Sequence, residues 1–264
     1  MQRRQFLAAS IAASAAAVTG QAQTPAPTSQ PREFYQLRRY NLVSGSQSRL
    51  TEHYFSGALI PALGRMGLSP VGAFRLVYGP ETPAYYLVIP ASSVETLVTL
   101  DLTLPSDPEF MTAAAPFWNA PSTAPAFQRV ESWLLSAFPG WPRITPPPAA
   151  ATKAKRIFQI RTYESPSHQD HVRKVEMFHS GEFAIFKAAG CQQIFFGHTL
   201  IGSRLPSLTY MLSFAGMAEL EAGWNLFNTN PDWKKLSSDP RFTSDSIVSN
   251  VSDIILNPLG CSQI

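Results

Sequence analysis

Residues 33–40 alternate between two faces. Tyr35 and Leu37 fall on one side of an extended segment, and Gln36, Arg38 and Tyr40 fall on the other, which is the period-two pattern of a strand. From Ser46 to Met66 the apolar positions follow helical spacing, and Gly67 ends the helix. Pro61 should kink that helix or mark a new start within it. Val71–Tyr78 and Tyr85–Ile89 read as a strand pair joined through Gly79-Pro80. Ser92 is placed to cap a second helix running to about Thr103, and Arg129–Ala137 reads as a closing strand. The same order then returns as Ile157–Tyr163, Gln169–Ala189, Gln193–Ile201, Thr209–Phe214, Gly216–Asn228 and Val251–Leu256.

The return is a repeat in register. Gln36, Arg38 and Tyr40 correspond to Gln159, Arg161 and Tyr163, a shift of 123 residues (36 to 159). The same shift takes Phe55 to Phe178, Gly67 to Gly190, Gly79 to Gly202, and Pro108-Glu109-Phe110 to Pro231-Asp232-Trp233. One constant offset from the first strand to beyond the second helix is the mark of a duplicated unit. Strand-helix-strand-strand-helix-strand is the ferredoxin-like order, with helices on one face of a four-stranded sheet. Two such sheets can cover each other's bare faces. The expected fold is therefore α+β, with two tandem βαββαβ repeats packed sheet to sheet as one eight-stranded barrel with helices outside.

Two Pro- and Ala-rich stretches separate the units. The expected division is a signal segment at 1–22, a linker at 23–31, the first repeat at 32–138, a linker at 139–155, the second repeat at 156–258 and a tail at 259–264.

On these residues the chain resembles the NIPSNAP family. The resemblance rests on the strand ends Leu37-Arg38-Arg39-Tyr40 and Ile160-Arg161-Thr162-Tyr163 and on the helix-ending Gly67 and Gly190. It rests also on the pair Asp107-Pro108-Glu109-Phe110 and Asn230-Pro231-Asp232-Trp233. The first copy departs from the family pattern at Phe110, where a Trp is expected. The resemblance implies a dimeric α/β-barrel fold, here within one chain, and no settled biochemical activity.

The N-terminus reads as an address. Arg3-Arg4 is followed by Phe6-Leu7, an Ala-rich run to Val18, and small residues at Gly20 and Ala22. This resembles a twin-arginine (Tat) signal cut after Ala22, although Gln2 stands where Ser or Thr is usual. An ordinary Sec signal is the alternative, and both imply export to the periplasm or beyond. No later stretch has the length of a membrane-spanning helix.

Composition narrows the function. The chain is 45% hydrophobic and 15% charged, with net charge +3. Loss of Arg3 and Arg4 leaves about +1, which gives no electrostatic basis for nucleic-acid binding. Cys191 and Cys261 have no metal-ligand spacing, and whether they pair is left open. No cofactor is predicted, though Tat clients often carry one, so haem or another small ligand stays open. No metal is predicted, because no His-Glu-x-x-His spacing occurs.

Two sets of residues could carry chemistry. Gln36, Arg38, Tyr40, Gln159, Arg161 and Tyr163 would point into the barrel if their apolar neighbours met the helices. They would then form either a ligand pocket or a polar network that docks the repeats. His179 shares a helical stripe with Val172, Val175, Phe183 and Phe186, so it is read as inward-facing, either a core histidine or a general base. No nucleophile elbow or phosphate loop is present. The leading expectation is a binding or interaction module. A small-molecule enzyme, oxygenase- or isomerase-like, is the alternative. A small-molecule ligand and a homo-oligomer are the partners left open.

Overall fold

The computed structural model describes residues 31–43 and 45–264. The expected signal segment lies outside the described residues.

The first repeat comprises strand β1 (Phe34–Asn41), helices α1 (Gly45–Tyr54) and α2 (Ile60–Arg65), and strands β2 (Gly72–Tyr78) and β3 (Ala84–Ala91). Short helices α3 (Val94–Val98) and α4 (Leu100–Thr103), helix α5 (Pro108–Trp118) and strand β4 (Arg129–Ala137) complete it. A short helix α6 (Pro148–Ala151) lies in the connection. The second repeat comprises β5 (Ile157–Glu164), α7 (His168–Met177), α8 (Phe183–Ala188), β6 (Gln192–Ile201), β7 (Ser207–Phe214), α9 (Met217–Thr229), α10 (Pro231–Ser237), α11 (Ser244–Ile247) and β8 (Asn250–Pro258).

The eight strands close into one antiparallel barrel in the order β1-β3-β2-β8-β5-β7-β6-β4. Each repeat contributes a four-stranded sheet, and the two sheets join at β2–β8 and β4–β6. Closure removes every free sheet edge. The fold is therefore the doubled, helix-wrapped barrel that the repeat implies.

Helix α5 was absent from the sequence reading. Its start is well specified: the Asp107 carboxylate accepts from the Phe110 amide at 3.0 Å, and Pro108 occupies the first turn. The N-cap position of α3 is Ser93 rather than Ser92, and its side chain makes no capping hydrogen bond.

In both repeats the long first helix opens into one π turn. Phe55–Leu59 and Phe178–Glu182 occupy the same place in the duplicated unit. In the first copy the π turn delivers the chain to Pro61 at the start of α2. The proline is thus accommodated as a new first turn.

The barrel interior is apolar at one end. Phe158 packs edge-on against Phe74 at 4.9 Å, and Tyr35 packs on Phe195 at 5.1 Å. All four rings are fully buried. Truncating Phe158 to Ala would cost about 3–5 kcal/mol. The connecting segment and the tail close this end. Ile144 and Ile264 are buried among the interior residues. The Ile144 amide donates to Glu33 at 2.9 Å, and Arg156 Nη2 donates to the Ile264 carbonyl at 2.8 Å.

Candidate functional site

The opposite end of the barrel holds a cavity of about 360 Å³, within the range that accommodates small organic ligands. Its floor is Leu37, Ile160 and Ile254. Its walls come from both repeats and differ in chemistry. The first repeat supplies Arg39, Tyr86, Glu131 and Trp133. The positions that the duplicated registers make equivalent are Thr162, Thr209, Ser252 and Ile254. A charged and aromatic wall therefore faces a hydroxyl-bearing one.

The charges on the first wall are satisfied within the protein. Arg39 Nε donates to Glu131 Oε2 at 2.8 Å, and Asn41 Nδ2 donates to the same oxygen at 2.6 Å. Burial pushes the Glu131 carboxyl up, but the hydrogen bonds from Arg39 and Asn41 outweigh it and hold the group below its usual range. On the rim, Arg204 Nη1 donates to Ser252 Oγ at 2.6 Å and lies 3.5 Å from Glu164. Thr162 and Thr209 share a hydrogen bond of 2.9 Å across the facing wall. Trp133 lies against Gly202 of the second repeat's hairpin. A Cβ there would come within 2.5 Å of the indole, so this glycine is what lets the ring approach the neighbouring repeat.

The six strand residues singled out from the sequence do not reach this cavity. Gln36, Arg38, Tyr40, Gln159, Arg161 and Tyr163 lie on the outer face of the barrel, under the helices, and their networks stay within each repeat. This corrects the expected orientation. Tyr35 and Leu37, with Phe158 and Ile160, are the faces that meet across the barrel. The physical reason is that both sides of each sheet are buried, so alternation distinguishes the two faces without saying which is central.

In the first repeat Arg38 Nε donates to Gln36 at 2.9 Å, and Arg38 Nη1 donates to Asp101 of α4 at 2.8 Å. Tyr40 packs edge-on against Phe55 at 5.1 Å. In the second repeat Gln159 donates to Asp253 at 2.7 Å and accepts from Trp224 Nε1 at 2.7 Å. The Arg161 guanidinium lies 4.3 Å over the Trp224 ring and 3.7 Å from Asp253. The Tyr163 and Tyr210 hydroxyls are 2.7 Å apart. Burial pushes the Tyr163 hydroxyl up to about 12.

His179 is also corrected. It is exposed, and both ring nitrogens are engaged by the backbone. Nδ1 is 2.8 Å from the Val175 carbonyl, and Nε2 accepts from the Gly140 amide at 3.0 Å. The expected stripe is out of phase already in α7, where Val172 is exposed and Lys174 is buried. The inward side chains become Lys174, Val175, Phe178, Glu182, Ile185 and Phe186.

Two other histidines meet instead. His171 Nε2 on α7 lies 3.0 Å from His198 Nδ1 on β6. Burial holds both below the usual imidazole value, His198 down to about 4, with His171, Arg32 and His179 adding to the effect. Cys191 and Cys261 are both free. Among the described residues, no group of three or more His, Cys, Asp or Glu is arranged to hold a metal ion, and no helix is long and apolar enough to cross a membrane.

Comparison with known proteins agrees with this architecture. The chain is similar to a "putative monooxygenase" of Lactobacillus acidophilus, at 8% identity and TM-score 0.54, over 86% of this chain and 94% of that one. A second "putative monooxygenase", from Fusobacterium nucleatum, aligns at 8% identity and TM-score 0.51 over 87% and 94%. An anthrone oxidase-like protein aligns at 10% identity and TM-score 0.52 over 88% and 93%. At such identities the likeness is one of fold. No curated protein matches the chain. The NIPSNAP family model matches residues 158–263, the span of the second repeat.

Proposed function

We propose that this chain is an exported binding protein that holds a small organic molecule in the open end of its barrel. The observation that carries this reading is the cavity of about 360 Å³ closed below by packed aromatic rings and walled by both repeats. Its lining has no nucleophile paired with a base, which favours binding over turnover. Export is part of the proposal and rests on the Arg3-Arg4 segment. It predicts a mature chain beginning at Gln23, and accumulation of precursor when Arg3-Arg4 is replaced by Lys-Lys.

The cavity reading is tested by NMR fragment screening of the wild type and of Thr199→Trp, which fills the mouth from β6. Fragments should bind the wild type and be lost from the variant, with thermal midpoints within a few degrees. Equal binding by both proteins, or none by the wild type, would contradict it.

A second reading, an oxygenase-like enzyme, is supported by the descriptions of the full-length structural neighbours, which share the fold alone. It predicts consumption of the bound molecule under oxygen, where the binding reading predicts its unchanged recovery.

A further inference from the structure

The cavity's polar groups divide into two kinds, and the division points to a ligand class. The charged groups are already partnered. Arg39 is held by Glu131, and Arg204 by Ser252 and Glu164. Asp253, which borders the cavity, turns its carboxylate to Gln159 and Arg161. An ionic ligand would have to break one of these pairs or enter without a counter-charge, and both cost free energy.

Among the uncharged groups, Thr162 and Thr209 are paired with each other and Ser252 with Arg204, but three others are in the opposite state. The side chains of Trp133, Thr199 and Ser207 line the cavity and make no hydrogen bond among the described residues. Leu37, Ile160 and Ile254 and the rings of Tyr86 and Trp133 line the same cavity. Aromatic side chains of this kind favour a flat ring placed face or edge against them.

Taking the cavity as the binding site, we infer that its ligand is an uncharged, flat ring compound bearing carbonyl or hydroxyl oxygens. The oxygens accept from the Trp133 indole N–H and exchange hydrogen bonds with Thr199 and Ser207. The ring plane rests between the aliphatic floor and the two aromatic side chains. Both repeats are needed, because Trp133 comes from the first and the two hydroxyls come from the second.

The test uses three naphthalene probes of nearly equal size: 2-naphthol, 2-naphthoate and naphthalene itself. Each is titrated by NMR into the mature protein, into Thr199→Trp, and into two variants that remove a single donor, Trp133→Phe and Ser207→Ala. The expected result is that 2-naphthol binds at least about tenfold more tightly than the anion or the bare hydrocarbon. It should weaken roughly three- to tenfold in Trp133→Phe, and naphthalene should change by less than about twofold. Ser207→Ala provides the same contrast should Trp133→Phe melt early. If 2-naphthoate binds as well as 2-naphthol and both are lost in Thr199→Trp, the ligand class is overturned and the cavity reading stands. If none of the three binds the wild type, or Thr199→Trp binds all of them unchanged, the cavity reading falls and the ligand class falls with it.

Discussion

The two repeats share a strand and a π turn, yet they bury different chemistry beneath their helices. In the first, Arg38 reaches Asp101, which stands exposed on α4. The neighbouring helix positions Thr51 and Leu59 are buried without charge. In the second, the position of Asp101 is Trp224, on which Arg161 stacks. The positions of Thr51 and Leu59 are Lys174 and Glu182, an ion pair at 2.8 Å whose side chains are 3% and 2% exposed. Burial pushes the Glu182 carboxyl up, against the pull of Lys174. The difference teaches that the backbone plan needs no buried charge at this place. The Lys174–Glu182 pair is something the second copy carries in addition to its fold.

The largest effect should come from breaking that pair on one side. Lys174→Met leaves Glu182 buried without a counter-charge and should lower unfolding stability by about 3–5 kcal/mol. Lys174→Met with Glu182→Leu makes the second copy apolar, as the first is, and should return to within about 1–2 kcal/mol of wild type or exceed it. Denaturant unfolding of both proteins checks this. A double variant as unstable as the single would show that the second repeat requires its charges.

The next effect is a pH dependence centred on His198 of the second repeat. His198 is held near 4 in the folded state, well below its unfolded value. The unfolded chain therefore binds the proton more readily. Stability is complete above the ordinary imidazole range and falls as pH drops from about 6.5 toward 4. The partly exposed site reduces the loss to on the order of 2 kcal/mol. His171, Arg32 and His179 face the same group and act in the same direction, and His168 acts likewise on His171. His198→Gln should flatten this part of the stability curve. An unchanged slope would place the dependence elsewhere.

A smaller effect separates the two matching tyrosines. Tyr163→Phe leaves the buried Tyr210 hydroxyl without its 2.7 Å partner and should cost about 1–3 kcal/mol. Tyr40 packs in an aromatic cluster with Phe55, Phe117 and Phe127, and its hydroxyl meets Arg38, which keeps Gln36 and Asp101 as partners, so Tyr40→Phe should cost about 1 kcal/mol. Equal losses would mean that the two copies are more alike than their partners suggest.

The sequence made the architecture legible because duplication left its own ruler. The strands around Gln36 and Gln159 were recognisable by alternation, and their shared offset required the sheets to be related. The site was less legible, for two reasons seen in particular residues. Alternation puts Arg38 and Arg39 on opposite faces, but Arg38 finds Asp101 and Gln36 under the helices. A polar face could therefore lie outward without exposure, and the choice of face was not in the pattern. The stripe drawn through Val172 and His179 was one of two possible, and the buried one runs through Lys174, Phe178 and Glu182. The cavity residues Arg39, Glu131 and Trp133 did carry a signal. Arg39 lies directly across from Glu131 on adjacent strands, an opposite-charge cross-strand pair that was open to detection once the strand pairing was drawn.

The claim on which the account depends is that a ligand enters the end of the barrel and leaves the Gln-Arg-Tyr layer of the second repeat untouched. Fluorine NMR of protein carrying 5-fluorotryptophan at its five tryptophans tests this in one titration with 2-naphthol. The Trp133 resonance should shift in proportion to saturation, and Trp224, beneath the helices beside Arg161, should stay in place. A moving Trp224 with a stationary Trp133 would contradict the account and put the site under the helices.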